Sequence, residues 1–164
     1  MPENARRKAK PKSELRRFET EGERLRRIYV KAESKGAKRP RKDRRPGKQP
    51  INQFKLAAYA YCQELVRADL IDELQAYVET RDGSQWAGHG DSPEQWVLRL
   101  VTRYEQTDSR RQRRRRIVAE LALARSNEVR PELLLGFLYE AGPLTRIEKD
   151  AKVGKRYAWA DAYR

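Results

Sequence analysis

Six arginines within seven residues, Arg110, Arg111, Arg113, Arg114, Arg115 and Arg116, are the densest chemistry in the chain. Like charges this close repel one another, and a polyanion, or a great deal of water and salt, relieves that repulsion. The guanidinium fork also matches phosphate oxygens and base edges better than a lysine ammonium does. The run therefore points to recognition of phosphate, with no reaction implied.

A reaction is harder to place. Asp69, Asp72 and Glu73 fall at i, i+3 and i+4, where one continuous helix would align their carboxylates for a metal-dependent nuclease. A solvated acidic face explains them more simply, because no further acidic motif or histidine joins them. His89 is the only histidine, set two residues from Asp91 in a glycine-rich loop with no serine or cysteine motif beside it. Cys62 is the only cysteine, which excludes internal disulfides and cysteine-based zinc sites and suits a small buried hydrophobe. With no phosphate-cradling glycine loop and no nucleophile–base pair, the expectation is a non-enzyme without metal or cofactor.

Charge is unevenly spread. Charged residues make up 38% of the 164 residues, against about 25% in typical globular chains, so part of the chain is expected outside any core. The first 50 residues hold 19 basic and 7 acidic side chains, whereas residues 51–109 hold 5 and 10. The arginine run then adds six cations, and residues 117–164 are almost balanced with 8 and 7. A basic arm, an acidic body and a second basic cluster suit a protein that grips a phosphate backbone at two places. No apolar run is long enough for a membrane span and the first residues, MPENARRKAKPK, lack the apolar core of a signal peptide, so a soluble cytoplasmic or nucleoid protein is expected, or a nuclear one in a eukaryote.

The elements that would position these groups are helices. Residues 1–12 are polar and basic and are expected to stay disordered until an anion binds. Leu15, Phe18, Leu25, Ile28, Tyr29 and Ala32 then form a stripe at helical spacing over residues 13–35, with cations on the other faces and Gly22 weakening the middle. Residues 36–50 carry three prolines and two glycines and almost nothing to bury, the composition of an extended linker. Lys38, Arg39, Arg41, Lys42, Arg44 and Arg45 in it would track phosphates, a reading preferred here to a nuclear address.

Residues 1–50 thus read as a basic, partly disordered arm, and residues 51–164 as a small all-α bundle of about five helices. Asn52 is expected to cap a long helix running from Phe54 to Thr80, with Phe54, Ala58, Tyr61, Leu65, Ala68 and Val78 inward and Tyr59 and Tyr61 in the core. Arg81–Pro93 reads as a loop that Trp86 anchors. Ser92, Pro93 and Gln95 then start a helix with a capping box, and Trp96, Val97, Leu100, Val101 and Tyr104 form its stripe. Ser109 either caps the arginine helix or lies within a longer one, and Ile117, Val118, Leu121 and Ala122 bolt that helix to the core.

Residues 131–164 carry a family resemblance. The sequence LLLGFLYEAGPLTRIEKDAKVGKRYAWADAY is similar to the helix-turn-helix region of winged-helix and related DNA-binding domains: an apolar helix, a Gly142–Pro143 break, a second helix capped by Thr145 and Glu148, a tight turn and a third helix. Ile147, Ala151 and Val153 take the buried spacing of the second helix. The resemblance implies that the third helix enters the major groove, which would give Gly154, Lys155, Arg156, Tyr157 and Trp159 to DNA, with Lys152 beside them. The same cations and aromatics, with Tyr163 and Arg164, would also serve a single-strand binder whose bases stack on side chains.

The function expected is non-catalytic nucleic-acid binding, first of duplex DNA, through the arginine cluster, the basic arm and the helix-turn-helix-like end. A second reading is a structural subunit of a ribonucleoprotein that binds RNA or single strands. In size and basic, helical character the chain is similar to the small subunits of CRISPR effector complexes. A third is an adaptor whose basic arm binds an acidic protein.

Overall fold

The structure, a computed structural model, describes residues 12–36, 46–83, 92–102 and 108–164. Seven α-helices occupy most of them: α1 (Lys12–Gly36), α2 (Pro50–Arg67), α3 (Ile71–Asp82), α4 (Pro93–Thr102), α5 (Asp108–Ser126), α6 (Leu134–Ala141) and α7 (Leu144–Lys152). Short 3-10 turns lie at Pro46–Lys48, Pro131–Leu133 and Ala158–Tyr163, and there is no strand among the described residues. The fold is all-α, and none of these helices is long and apolar enough to cross a membrane.

α4 is the centre. Trp96, Val97, Leu98, Leu100 and Val101 are buried, and so are its charged residues Glu94 and Arg99, because α1, α2, α3 and α5 close around it. Ser92 starts it as expected, its hydroxyl accepting from the Gln95 backbone N–H at 3.3 Å. α1 buries Phe18, Leu25, Tyr29 and Ala32 in the same core, and a Cβ added at Gly22 would meet Leu100 Cγ at 3.0 Å. The glycine that weakens α1 as an isolated helix is what lets it close on α4.

Several expectations change. The long helix over residues 54–80 is two helices, because Asp69 adopts a left-handed φ of 55°. Leu70 N–H then bonds Leu65 O and Asp69 N–H bonds Val66 O, a Schellman stop built without glycine. Ala68 is exposed there, and Asp69 shares no helix face with Asp72 and Glu73; no metal-binding group of acids, histidines or cysteines occurs among the described residues. Gln49, whose side chain accepts from Asn52 Nδ2 at 3.4 Å but caps no backbone N–H, precedes α2 in place of Asn52, and α5 starts at Asp108, one residue before Ser109. α7 starts at Leu144, so Thr145 is inside it and caps nothing, and Val153 is 75% exposed.

The largest difference is at the C-terminus. Where the helix-turn-helix resemblance implies a third α-helix, Lys155–Tyr157 run without regular structure into a six-residue 3-10 turn. Asn127, fully buried, holds this segment: its Nδ2 donates to Leu123 O and Lys155 O, each at 2.9 Å, and its Oδ1 accepts Tyr157 N–H at 2.7 Å. Arg130 N–H adds a bond to Tyr163 O at 2.8 Å. Three side-chain bonds from one amide select a fixed tail over a regular helix. The expectations for residues 1–11 and 37–45, for Trp86, His89 and Asp91, and for Tyr104 lie outside the described residues.

Candidate nucleic-acid interface

Helical phase divides the arginine run. Arg110, Arg113 and Arg114 lie on the side of α5 that continues into the buried Ile117 and Leu121, whereas Arg111, Arg115 and Arg116 lie on the outer side. Arg114 is half-buried and the other five are exposed. Leu123 and Ala124 are buried as well, so more of α5 faces the core than the four apolar residues singled out in the sequence, of which Val118 and Ala122 are only partly covered.

The inner arginines meet an acid from α1. Glu33 Oε1 lies 3.7 Å from Arg110 Nε and 3.6 Å from Arg113 Nη1, with both arginine side chains about half exposed. Arg110 is in the first turn of α5, where the helix dipole opposes cations, so the Glu33 carboxylate eases both that and the repulsion within the run. Arg115 and Arg116 make no ion pair among the described residues. They are the two cations of the run most available to an outside anion.

The C-terminal candidates are arranged differently. Lys155 Nζ lies 3.4 Å from Asp150 Oδ2 and Arg156 Nη2 is 2.8 Å from Glu128 Oε1. Tyr157 is buried, its hydroxyl donating to Asp150 Oδ2 at 2.6 Å and its ring stacked on Trp159 with centroids 4.7 Å apart. That hydrogen bond, with the charges of Lys155 and Arg146, holds the Asp150 carboxyl below the usual range, while burial and the same carboxylate push Tyr157 up to about 12. Phe137 and Tyr163 complete the aromatic cluster, and Trp159 remains 36% exposed. Lys152 is exposed at the end of α7.

Acids thus neutralise much of the C-terminal end, whereas Arg115 and Arg116 on the outer face of α5 have no acidic partner among the described residues. The two groups also stand apart. Even Arg116, the last of the run, lies ten residues of helix before Ser126 at the end of α5, about 15 Å at 1.5 Å per residue, so one compact ligand group cannot touch both. Lys38, Arg39, Arg41, Lys42, Arg44 and Arg45 lie outside the described residues.

Two features escaped the sequence reading. Glu33 looks like any acid of an amphipathic helix until α5 is placed beside it. The fully buried Glu94, paired with Arg125, carried no signal either, since an acid in the first turn of a helix is ordinarily a solvated one. No family model matches the sequence, and no curated protein or solved structure matches it significantly.

Proposed function

We propose that the chain is a non-catalytic nucleic-acid-binding protein whose main phosphate contact is the start of α5. The observation that carries this is the pair Arg115 and Arg116, exposed on a helix anchored by Ile117 and Leu121 and without an acidic partner among the described residues. Guanidinium groups held on a rigid element and left without counter-charge bind phosphate by counterion release, which gives affinity without sequence preference. The basic residues from Lys38 to Arg45 add to the same term. Because Lys155 and Arg156 are paired and Tyr157 is buried, the C-terminal segment contributes less to this reading than backbone contact does. Duplex DNA is the partner proposed.

A titration of the full chain against labelled duplex at a series of salt concentrations tests this. The wild type should show a steep linear fall of log affinity with log salt, and Arg115→Gln with Arg116→Gln should lower that slope by about two. A shallow slope in the wild type removes the reading. The partly exposed Trp159, stacked on Tyr157 and following Lys155 and Arg156 in the chain, favours a second reading in which RNA or a single strand stacks at the C-terminal end. Trp159→Ala should then weaken single-strand binding and leave duplex binding alone.

A further inference from the structure

The first two turns of α5 do not stand alone. Arg26 precedes Glu33 by seven residues, two turns of α1, so both lie on the flank that faces Arg110 and Arg113. Further round the exposed side of α1 come Val30, Arg27 and Lys31, with Ser34 between them at the surface. Arg26 and Lys31 have no ion pair among the described residues, and Arg27 has only a 3.8 Å contact to the exposed Glu23. The second half of α1 and the start of α5 therefore present cations side by side, joined at Glu33.

We propose that Arg26, Arg27 and Lys31 of α1 form, together with the arginines at the start of α5, one continuous surface that takes the phosphate backbone of a DNA duplex. This rests on the nucleic-acid reading above and, within the basic arm, singles out the three helix cations that lie beside α5. The dimensions suit a backbone. Seven residues of helix between Arg26 and Glu33 span about 10 Å, the rise of about three base pairs along the duplex axis. The chemistry suits paired rather than single strands. The exposed side chains on this part of α1 are Arg26, Arg27, Val30, Lys31 and Ser34, and its aromatic residue, Tyr29, is buried. A surface without an exposed ring gives unpaired bases nothing to stack on and binds through charge alone.

The test is a competition titration with the full chain against duplex DNA, duplex RNA and single-stranded DNA, over a range of salt. Three variants are compared with the wild type: Arg26→Gln with Arg27→Gln and Lys31→Gln; Arg115→Gln with Arg116→Gln; and a charge-matched control, Arg67→Gln with Arg130→Gln and Lys149→Gln, whose residues are exposed and lie outside α1 and the arginine run. All the replaced side chains are exposed, and far-UV circular dichroism confirms that each variant is folded. The expected result is that the α1 variant lowers the salt slope for duplex DNA by about three, equally on every duplex sequence, while the control barely moves it. If the α5 variant weakens binding but the α1 variant matches the control, the shared surface is overturned and the functional reading stands. Failure of the wild type to bind duplex DNA with a steep salt dependence overturns both. Tighter binding of single strands or duplex RNA, weakened by the α1 variant, overturns the DNA-duplex assignment.

Discussion

Asn127 is the residue on which the C-terminal tail depends. Replacing it with leucine removes three buried hydrogen bonds and leaves Lys155 O and Tyr157 N–H without their partner, for a loss of about 3 kcal/mol by urea unfolding. Tyr157→Phe is milder, about 1 kcal/mol, because Asp150 keeps Lys155 and Arg146 nearby. The pair sets two pH limits of opposite sign. The lowered Asp150 contributes stability above the ordinary aspartate range and loses it as pH falls through its folded value; Tyr157 contributes below 10 and loses it as pH rises towards about 12. Burial raises Tyr59 and Tyr61 as well. In an alkaline titration followed by tyrosinate absorbance, these three should ionise only as the fold opens, so Tyr157→Phe shrinks the late phase; a smaller early phase would contradict the assignment. Glu94 and Arg125 make a comparable pair. Arg125→Ala strands a buried carboxylate and should cost about 2–3 kcal/mol, less than a fully buried pair because Arg125 reaches solvent.

Three helices end in the same way. After α2, α5 and α7 the chain turns through a left-handed residue, respectively Asp69, Glu128 and Gly154, and each time the two Schellman hydrogen bonds close the last turn. Only Gly154 adopts that conformation without strain. Asp69 is exposed with no hydrogen bond from its side chain, so Asp69→Gly should stabilise the protein by about 0.5–1 kcal/mol and raise the melting temperature by about 2–3 °C. Glu128→Gly should gain less, because it gives up contacts with Arg156 and Arg164. These stops explain what could be read in the chain and what could not. Periodicity carried the helices and most of the core-facing residues of α1 and α4, although Leu15 is exposed and the buried Leu98 lay outside the expected stripe. The α2–α3 break was illegible, since VRADLIDE holds neither glycine nor proline and keeps helical spacing across it. The missing third helix was equally hidden, because the choice between a helix and a fixed tail at residues 155–163 is made by Asn127, 28 residues upstream of Lys155.

At the scale of the molecule, the arginine run crowds like charge at the start of α5, a cost to the free protein that the proposed phosphate partner would relieve. The charge asymmetry was plain in the sequence. Which arginines face outward was not, since that depends on the phase of α5 against a core whose other side is α4. Nor did the sequence pattern show that α1, with its own cations, lies beside them. If Arg115 and Arg116 exist for an anion, removing them should have opposite effects on the free and bound states. Arg115→Gln with Arg116→Gln relieves repulsion near the start of α5, so the free protein should melt slightly higher at low salt. Saturating duplex at about 100 times its dissociation constant should stabilise the wild type by about 2.7 kcal/mol, a rise of about 5–10 °C for a chain of this size, and the variant by clearly less. Differential scanning fluorimetry with and without duplex reads both quantities in one experiment. A variant that melts lower when free and keeps the full duplex shift would make the two arginines structural, and the phosphate contact would then have to lie elsewhere on the basic surface.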